Sequence, residues 1–388
     1  MKILIVRPTP NKMDLKTYNL QEVGLAKAFV RRGHQCDVMY YCGKEKDHFQ
    51  EIKFDNNTKS LRILWIHGYG IAREGIYPSL KKYVEQYDVV QVGGYIGLTS
   101  FWLNKKYPEK VVNYQGPYYY EKNKGDIRRA RVFDRLLLPF LDKDKMIVGT
   151  KSILATQYVK EKGINNVTTL GVALDLDNII SSAGVKDDEF VMKLKKESEH
   201  SKFLLYIGVF EERRNIKFLM DIFKEVKNID NSFKFIMVGD GKKEHVESCF
   251  EHAKEIGISD SIIYSNKIEQ KQVENLYELS EAFILPNRYE IFGMVLLEAM
   301  YFGLPVFTTY NGGSATLINE SNGVVIESND AEVWAKKICE VLSDSDKKQE
   351  ISKMASDTIK EKYTWDMLSE KFLELYKKRV PLEDENDE

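Results

Sequence analysis

A chain of 388 residues is too long for one ordinary hydrophobic core and comfortable for two. Hydrophobic residues make up 43% and charged residues 30%, the balance of a soluble globular protein. The formal net charge of -2 excludes a polycation built for nucleic acid, while leaving room for locally basic patches.

Ile3 to Val6 predicts a buried strand. Leu20 to Arg32 has helical spacing, with Leu20, Val23, Leu25, Ala28 and Phe29 on one apolar face. Gly33 stops that helix, and Cys36 to Tyr41 makes the next strand. Further strands are predicted at Leu61 to Ile66, Val89 to Val92, Val111 to Asn113 and Met146 to Val148, with helical stretches between most of them. The alternation argues for a parallel sheet covered by helices on both faces. It breaks between about Asp175 and Lys202, where Ser181-Ser182-Ala183-Gly184 precedes a charged segment, and this reads as an inter-domain connection with room for a helix. The rhythm restarts with a strand at Phe203 to Ile207, a helix at Asn215 to Val226, and strands at Phe233 to Val238, Ile262 to Tyr264, Ala282 to Leu285 and Pro305 to Thr308. The last stretch is helical, and Glu383 to Glu388 is an acidic tail.

Cys36, Cys42, Cys249 and Cys339 are scattered with no metal-ligand spacing, which reads as free thiols in a reducing compartment. Met1 to Val6 is too short for a signal peptide, and no stretch approaches the ~20 apolar residues of a membrane helix. The reading is a cytoplasmic protein, with a peripheral membrane contact left open.

The most informative segment runs from Glu281 to Val306. Ala282 to Leu285 is a strand ended by Pro286, Asn287 to Gly293 is a loop, and Met294 to Phe302 is a helix closed by Gly303. Ligands of open α/β sheets sit at the carboxyl ends of strands, and a helix start offers N–H groups and partial positive charge to a diphosphate. Gly293 lets the backbone approach such a guest. Glu290 and Glu298 flank the anion site, and carboxylates accept hydrogen bonds from sugar hydroxyls. A ligand that is part phosphate and part polyol, such as a nucleotide sugar, fits both features.

Glu290 and Glu298 within the frame E-x-F-G-x-x-x-x-E-A-M-x-x-G-x-P-V resemble the signature of family 4 retaining glycosyltransferases. The resemblance implies the GT-B fold, two Rossmann-like doubly wound α/β domains facing a central cleft. It implies an acceptor domain over 1–174, a connection at 175–200, a donor domain over 201–360 and a terminal helix at 361–380 returning to the first domain, ahead of the tail at 381–388. Leu204 to Asn215 resembles the family's strand, glycine and basic loop. Gly208 then lies at the donor, and Arg214 falls on the residue that pairs with the donor phosphates. Val209 stands where relatives often carry an arginine; Arg213 either supplies that charge or is a surface cation. Ile262 to Ile268 resembles the strand and loop that cradle the base, with the backbone near Ile268 reading its edge. The amides of Phe292, Gly293, Met294 and Val295 would hold the diphosphate. Tyr310 to Ser314 and Asn322-Gly323 match the family's loops but read as ordinary turn chemistry.

In the first half, the loop from Arg7 to Asn19 occupies the acceptor-loop place without the family's two glycines. His34 reads as structural. Gln115 stands where many relatives carry a histidine near the donor sugar; it is either a sugar contact or a turn residue. Tyr118-Tyr119-Tyr120 either stacks on a sugar ring or packs. Lys122 to Arg135 is basic; family analogy suggests anionic lipid or a lipid-linked acceptor, against a solvated helix face. Asp142-Lys143-Asp144 is rejected as a metal site, since it precedes a strand and has no supporting histidine. No cofactor or metal is expected. The partners implied are a nucleotide-sugar donor, UDP- or GDP-linked or another, and a saccharide, lipid-linked or protein acceptor. Two other classes stay open: a sugar-nucleotide epimerase on the same fold, and a non-catalytic glycosyltransferase-like subunit.

Overall fold

The computed structural model describes residues 1–71, 73–118, 124–179 and 185–380. Tyr119, Tyr120, Lys122, Ser181 to Gly184 and the acidic tail, all singled out above, lie outside the described residues. The chain divides into two compact units, Met1–Asp175 with the segment from Thr364, and Leu176–Tyr363.

The first unit holds β1 (Lys2–Val6), β2 (Gln35–Tyr41), β3 (His48–Phe54), β4 (Lys59–Ile66), a small hairpin of β5 (Tyr69–Ile71) and β6 (Glu74–Ile76), then β7 (Val89–Gly93), β8 (Val111–Gln115), β9 (Ile147–Thr150) and β10 (Val167–Thr169). Its main sheet runs β10-β9-β8-β7-β1-β2-β4-β3. All pairings are parallel except β3 with β4. Central strands are covered on both faces, so they read as unbroken apolar runs: Ile3 to Val6 are buried throughout. β3 departs from this pattern. It is an antiparallel edge strand with mostly exposed side chains, and for that reason it carries no apolar run.

The terminal helix Trp365–Lys377 belongs to this unit. Thr364 caps its start, accepting from the Met367 N–H at 3.4 Å. Phe372 and Tyr376 pack on Phe29 of the helix Gln21–Arg31, with centroids 6.5 and 5.5 Å away. A Cβ at Gly24 would lie 2.4 Å from the Trp365 ring, so the two helices meet only because residue 24 is glycine.

The second unit holds β11 (Lys202–Ile207), β12 (Phe233–Val238), β13 (Ile262–Ser265), β14 (Ala282–Leu285), β15 (Val306–Thr308) and β16 (Val324–Val325). They form an all-parallel sheet in the order β13-β12-β11-β14-β15-β16. The stretch read as a connection is part of this unit. Asp188 caps a helix at Glu189–Glu197, whose Val191 and Leu194 are fully buried. Gln272 donates to the Lys186 carbonyl at 2.9 Å, and Lys234 pairs with Glu197. Two buried aliphatic side chains and these polar ties outweigh the charged, linker-like composition.

The strand order places the reversal of winding between β11 and β14 in the second unit and between β1 and β7 in the first. Those are the positions where loops from adjacent strands diverge and leave a crevice at the carboxyl edge. No described helix is long and apolar enough to cross a membrane.

Candidate functional site

In the second unit the loops after β11 and β14 meet. Gly208 follows β11, and a short turn at Glu212–Arg214 comes after it. Asn215 adopts a left-handed conformation (φ 56°) that asparagine tolerates, and the helix Ile216–Ile229 begins directly after it. This sharp entry aims Arg214 across the β11–β14 boundary. Arg214 Nη1 donates to Glu290 Oε2, and both side chains are only 13% exposed, so this is no loose surface pair. Arg214 Nε is buried with no hydrogen-bond partner among the described residues. Arg213 Nη1 lies 4.0 Å from the same carboxylate oxygen, while its Nε donates to Glu211 Oε2 at 2.7 Å. Two guanidinium groups therefore face one carboxylate. Tyr206 lies beneath this cluster, and burial pushes its phenol above the ordinary range.

Glu290 is seated by its own loop. Asn287 Nδ2 donates to Glu290 Oε2 at 3.1 Å, and the Glu290 carbonyl accepts from the Gly312 N–H at 3.0 Å. Gly293 has φ 86° and sits at the N-cap of the helix Met294–Tyr301, where a glycine offers no capping side chain. Helix geometry leaves the first N–H groups, including that of Val295, without intrahelical acceptors. With the partial positive charge of the helix start they form an anion-favouring surface beside Glu290. Phe292 is buried and its ring lies 6.0 Å from that of Tyr363.

The loop Tyr310 to Ser314, read above as ordinary turn chemistry, is a buttress. A Cβ on Gly313 would lie 1.9 Å from the Phe292 carbonyl oxygen. Asn311 Oδ1 accepts from the Gly313 and Ser314 N–H groups at 3.0 Å each, and Asn311 Nδ2 reaches the Asn287 carbonyl at 3.1 Å. Tandem glycines beside a buried asparagine were the available signal.

Glu298 is on the second turn of the helix and 7% exposed. Its Oε2 accepts from Tyr277 OH at 2.9 Å, and the Tyr277 ring stacks on Phe302 at 5.1 Å. Nothing in the sequence separated Tyr277 from other core aromatics. Ile268 is half-buried in the loop after β13. β13 lies three places from β14, roughly 14 Å at about 4.8 Å per strand. The loop that holds Ile268 therefore leaves the sheet at a different part of its carboxyl edge from the loop that holds Glu290.

In the first unit, Gln115 is 2% exposed. Its Oε1 accepts from the Tyr95 N–H at 3.3 Å and its Nε2 donates to the Pro117 carbonyl at 2.8 Å. Each end of the amide makes a hydrogen bond within the unit, which fixes its orientation. Beside it a cavity of about 440 Å³ is lined by Gly93, Gly94, Gln115, Arg129, Asp134 and Lys162. Asp142 Oδ1 accepts from the Asp144 N–H at 3.2 Å, an ordinary turn. Burial depresses the His34 imidazole.

Residues 187–358, within the second unit, match the family described as Glycosyl transferases group 1. An uncharacterised glycosyltransferase of Methanocaldococcus jannaschii is 27% identical over 203 residues, 52% of this chain and 48% of that protein. The chain spans about half or less of the length of the first curated relatives it matches. Among solved structures, sucrose-phosphate synthase from Thermosynechococcus elongatus superposes with a TM-score of 0.71 at 16% identity, covering 97% of this chain and 98% of the other. Anabaena HepE in complex with UDP and glucose gives 0.65 at 14%, covering 96% and 98%. At such identities these likenesses speak for the fold, the paired Rossmann-like units of GT-B proteins. The similarity to the glycosyl transferases group 1 family is carried by residues 187–358 of the second unit.

Proposed function

We propose that the chain is a family 4 retaining glycosyltransferase that moves a sugar from a nucleoside-diphosphate donor to a hydroxyl acceptor without a metal. One observation carries the reading: a partly buried guanidinium whose Nε has no hydrogen-bond partner among the described residues stands beside a carboxylate and a glycine-led helix start, at the strand reversal of a Rossmann-like sheet. Arg214 and the first-turn amides of the helix Met294–Tyr301 take the diphosphate. Charge on the leaving group is met by these fixed donors, which is why no metal is needed. Glu290 holds the donor sugar and Glu298, oriented by Tyr277, takes the ribose hydroxyls. The acceptor oxygen bonds to the anomeric carbon as the bond from that carbon to the β-phosphate oxygen breaks. The acceptor proton passes to a departing phosphate oxygen, and same-face attack keeps the anomeric configuration.

The acceptor is a saccharide, free or carried on lipid or protein, and the cavity beside Gln115 in the first unit is assigned to it. The exposed face of the helix Lys124–Leu136 sets Arg128, Arg131 and Arg135 beside Val132 and Leu136, with exposed Phe140 just beyond. We assign that face to an anionic membrane on the cytoplasmic side, in polysaccharide or glycoconjugate synthesis.

The test is a panel of UDP- and GDP-sugars read by thermal shift, then by product anomer with a hydroxyl acceptor. One nucleotide sugar should stabilise the protein by several degrees, and Arg214→Met should weaken the corresponding diphosphate at least about tenfold, the loss of a charged hydrogen bond. Unchanged diphosphate binding in Arg214→Met, or an epimer of the donor as sole product, overturns the reading.

A further inference from the structure

Asn287 follows Pro286 at the carboxyl end of β14 and is fully buried. Its Nδ2 donates to Glu290 Oε2 at 3.1 Å and to the Tyr289 carbonyl at 3.2 Å. The amide orientation follows from chemistry, because turning it over would set Oδ1 against two acceptors. Its own carbonyl accepts from Thr309 Oγ1 at 2.6 Å and Asn311 Nδ2 at 3.1 Å, which pins the backbone to the next loop. Oδ1 is buried and has no hydrogen-bond partner among the described residues. An unsatisfied buried acceptor is destabilising, and a serine or alanine here would remove it. The position therefore carries a group that costs stability on one side and holds Glu290 on the other.

Glu290 Oε2 receives both the Arg214 guanidinium and the Asn287 amide. A diphosphate competes for the guanidinium, since phosphate oxygens are strong partners for arginine. It does not compete for a buried neutral amide. We propose that Asn287 is the positioning residue that keeps the Glu290 carboxylate in place when Arg214 turns to a diphosphate. It acts through Glu290 and touches no reacting atom. The inference rests on the donor-site reading above.

The test is a double-mutant cycle with Asn287→Ser and Glu290→Ala, read first without ligand. The change in melting temperature caused by Asn287→Ser should differ between the wild-type and Glu290→Ala backgrounds. The same shift in both means no coupling and overturns the proposal. The second readout uses the nucleotide sugar that stabilises the wild-type protein most. Asn287→Ser should lower kcat about tenfold while leaving the affinity for the free diphosphate within about twofold, the signature of lost orientation rather than lost binding. Asn287→Asp, which keeps the shape but sets a second carboxylate against Glu290, should lose more. Equal losses of turnover and diphosphate affinity in Asn287→Ser would mark a merely structural residue and overturn the proposal. If no nucleotide sugar is turned over by the wild-type protein, the transferase reading fails by itself, and the ligand-free cycle still decides the contact.

Discussion

Glu290→Gln should separate two effects that usually travel together: diphosphate binding should tighten while sugar transfer is lost. In the structure the Arg214 guanidinium is held by the Glu290 carboxylate, and each side chain is 13% exposed, so water screens the pair little. A hydrogen bond between charged groups contributes about 1.5–3 kcal/mol and a neutral one about 0.5–1.5 kcal/mol. Glutamine keeps the shape and an acceptor oxygen but removes the charge, so Arg214 is released by about 1–1.5 kcal/mol. That corresponds to roughly five- to twelvefold tighter binding. Removing the negative charge also lowers repulsion of an incoming diphosphate, which works in the same direction. The assay is calorimetric titration with UDP, the nucleotide held by HepE, or with GDP if UDP fails. Turnover of the matching nucleotide sugar is measured on the same preparation. Turnover should fall at least about a hundredfold, as for a lost electrostatic contact in the transition state. Equal or weaker diphosphate binding in a variant that melts like the wild type would refute the idea that Glu290 restrains Arg214. Retained turnover would refute its role at the sugar.

Tyr277→Phe removes the hydroxyl that donates to Glu298; it should cost about 1–2 kcal/mol in urea unfolding and weaken the nucleoside diphosphate that binds the wild type more than it slows turnover of the matching nucleotide sugar. Gly313→Ala sets a methyl 1.9 Å from the Phe292 carbonyl oxygen, so the loop must shift; a loss of about 1–3 kcal/mol and a weakened diphosphate site are expected in melting and calorimetry. His34 is held below its ordinary value by burial, so its neutral form is favoured in the fold. Stability from this group is complete above about pH 6.5, the unfolded value, and is lost as pH falls below it; melting curves of His34→Gln should fall less steeply with acid than those of the wild type. Arg128→Glu combined with Arg131→Glu and Arg135→Glu should abolish sedimentation with vesicles of anionic phospholipid at low salt, with the melting temperature unchanged. Equal sedimentation with neutral vesicles would remove the electrostatic basis of that face.

Most strands of the second unit were legible because they are buried on both faces and leave unbroken apolar runs, as at Phe235 to Val238 and Ala282 to Leu285. β3 was not, since an exposed edge strand spelled HFQEIKF has no such run, and β16 has only two residues. The stretch around Glu189–Glu197 reads as a connection with room for a helix; that the helix packs into the second unit was not legible, because burial of Val191 and Leu194 depends on what covers them. Gln115 was named as either contact or turn, and its two hydrogen bonds inside the first unit and its place on the cavity wall came only from the tertiary structure.

Local sequence alone determined the strand, loop and helix around Glu290, because chain direction, Pro286 and Gly293 act on neighbours within a few residues. It could not determine that Arg214 and Glu290, 76 residues apart, would meet. That contact exists because β11 and β14 pair side by side while β12 and β13 wind the other way. Strand order is settled by burial over the whole sheet, and the same packing brought Asn287 to Glu290, Tyr277 to Glu298 and Gly313 against Phe292.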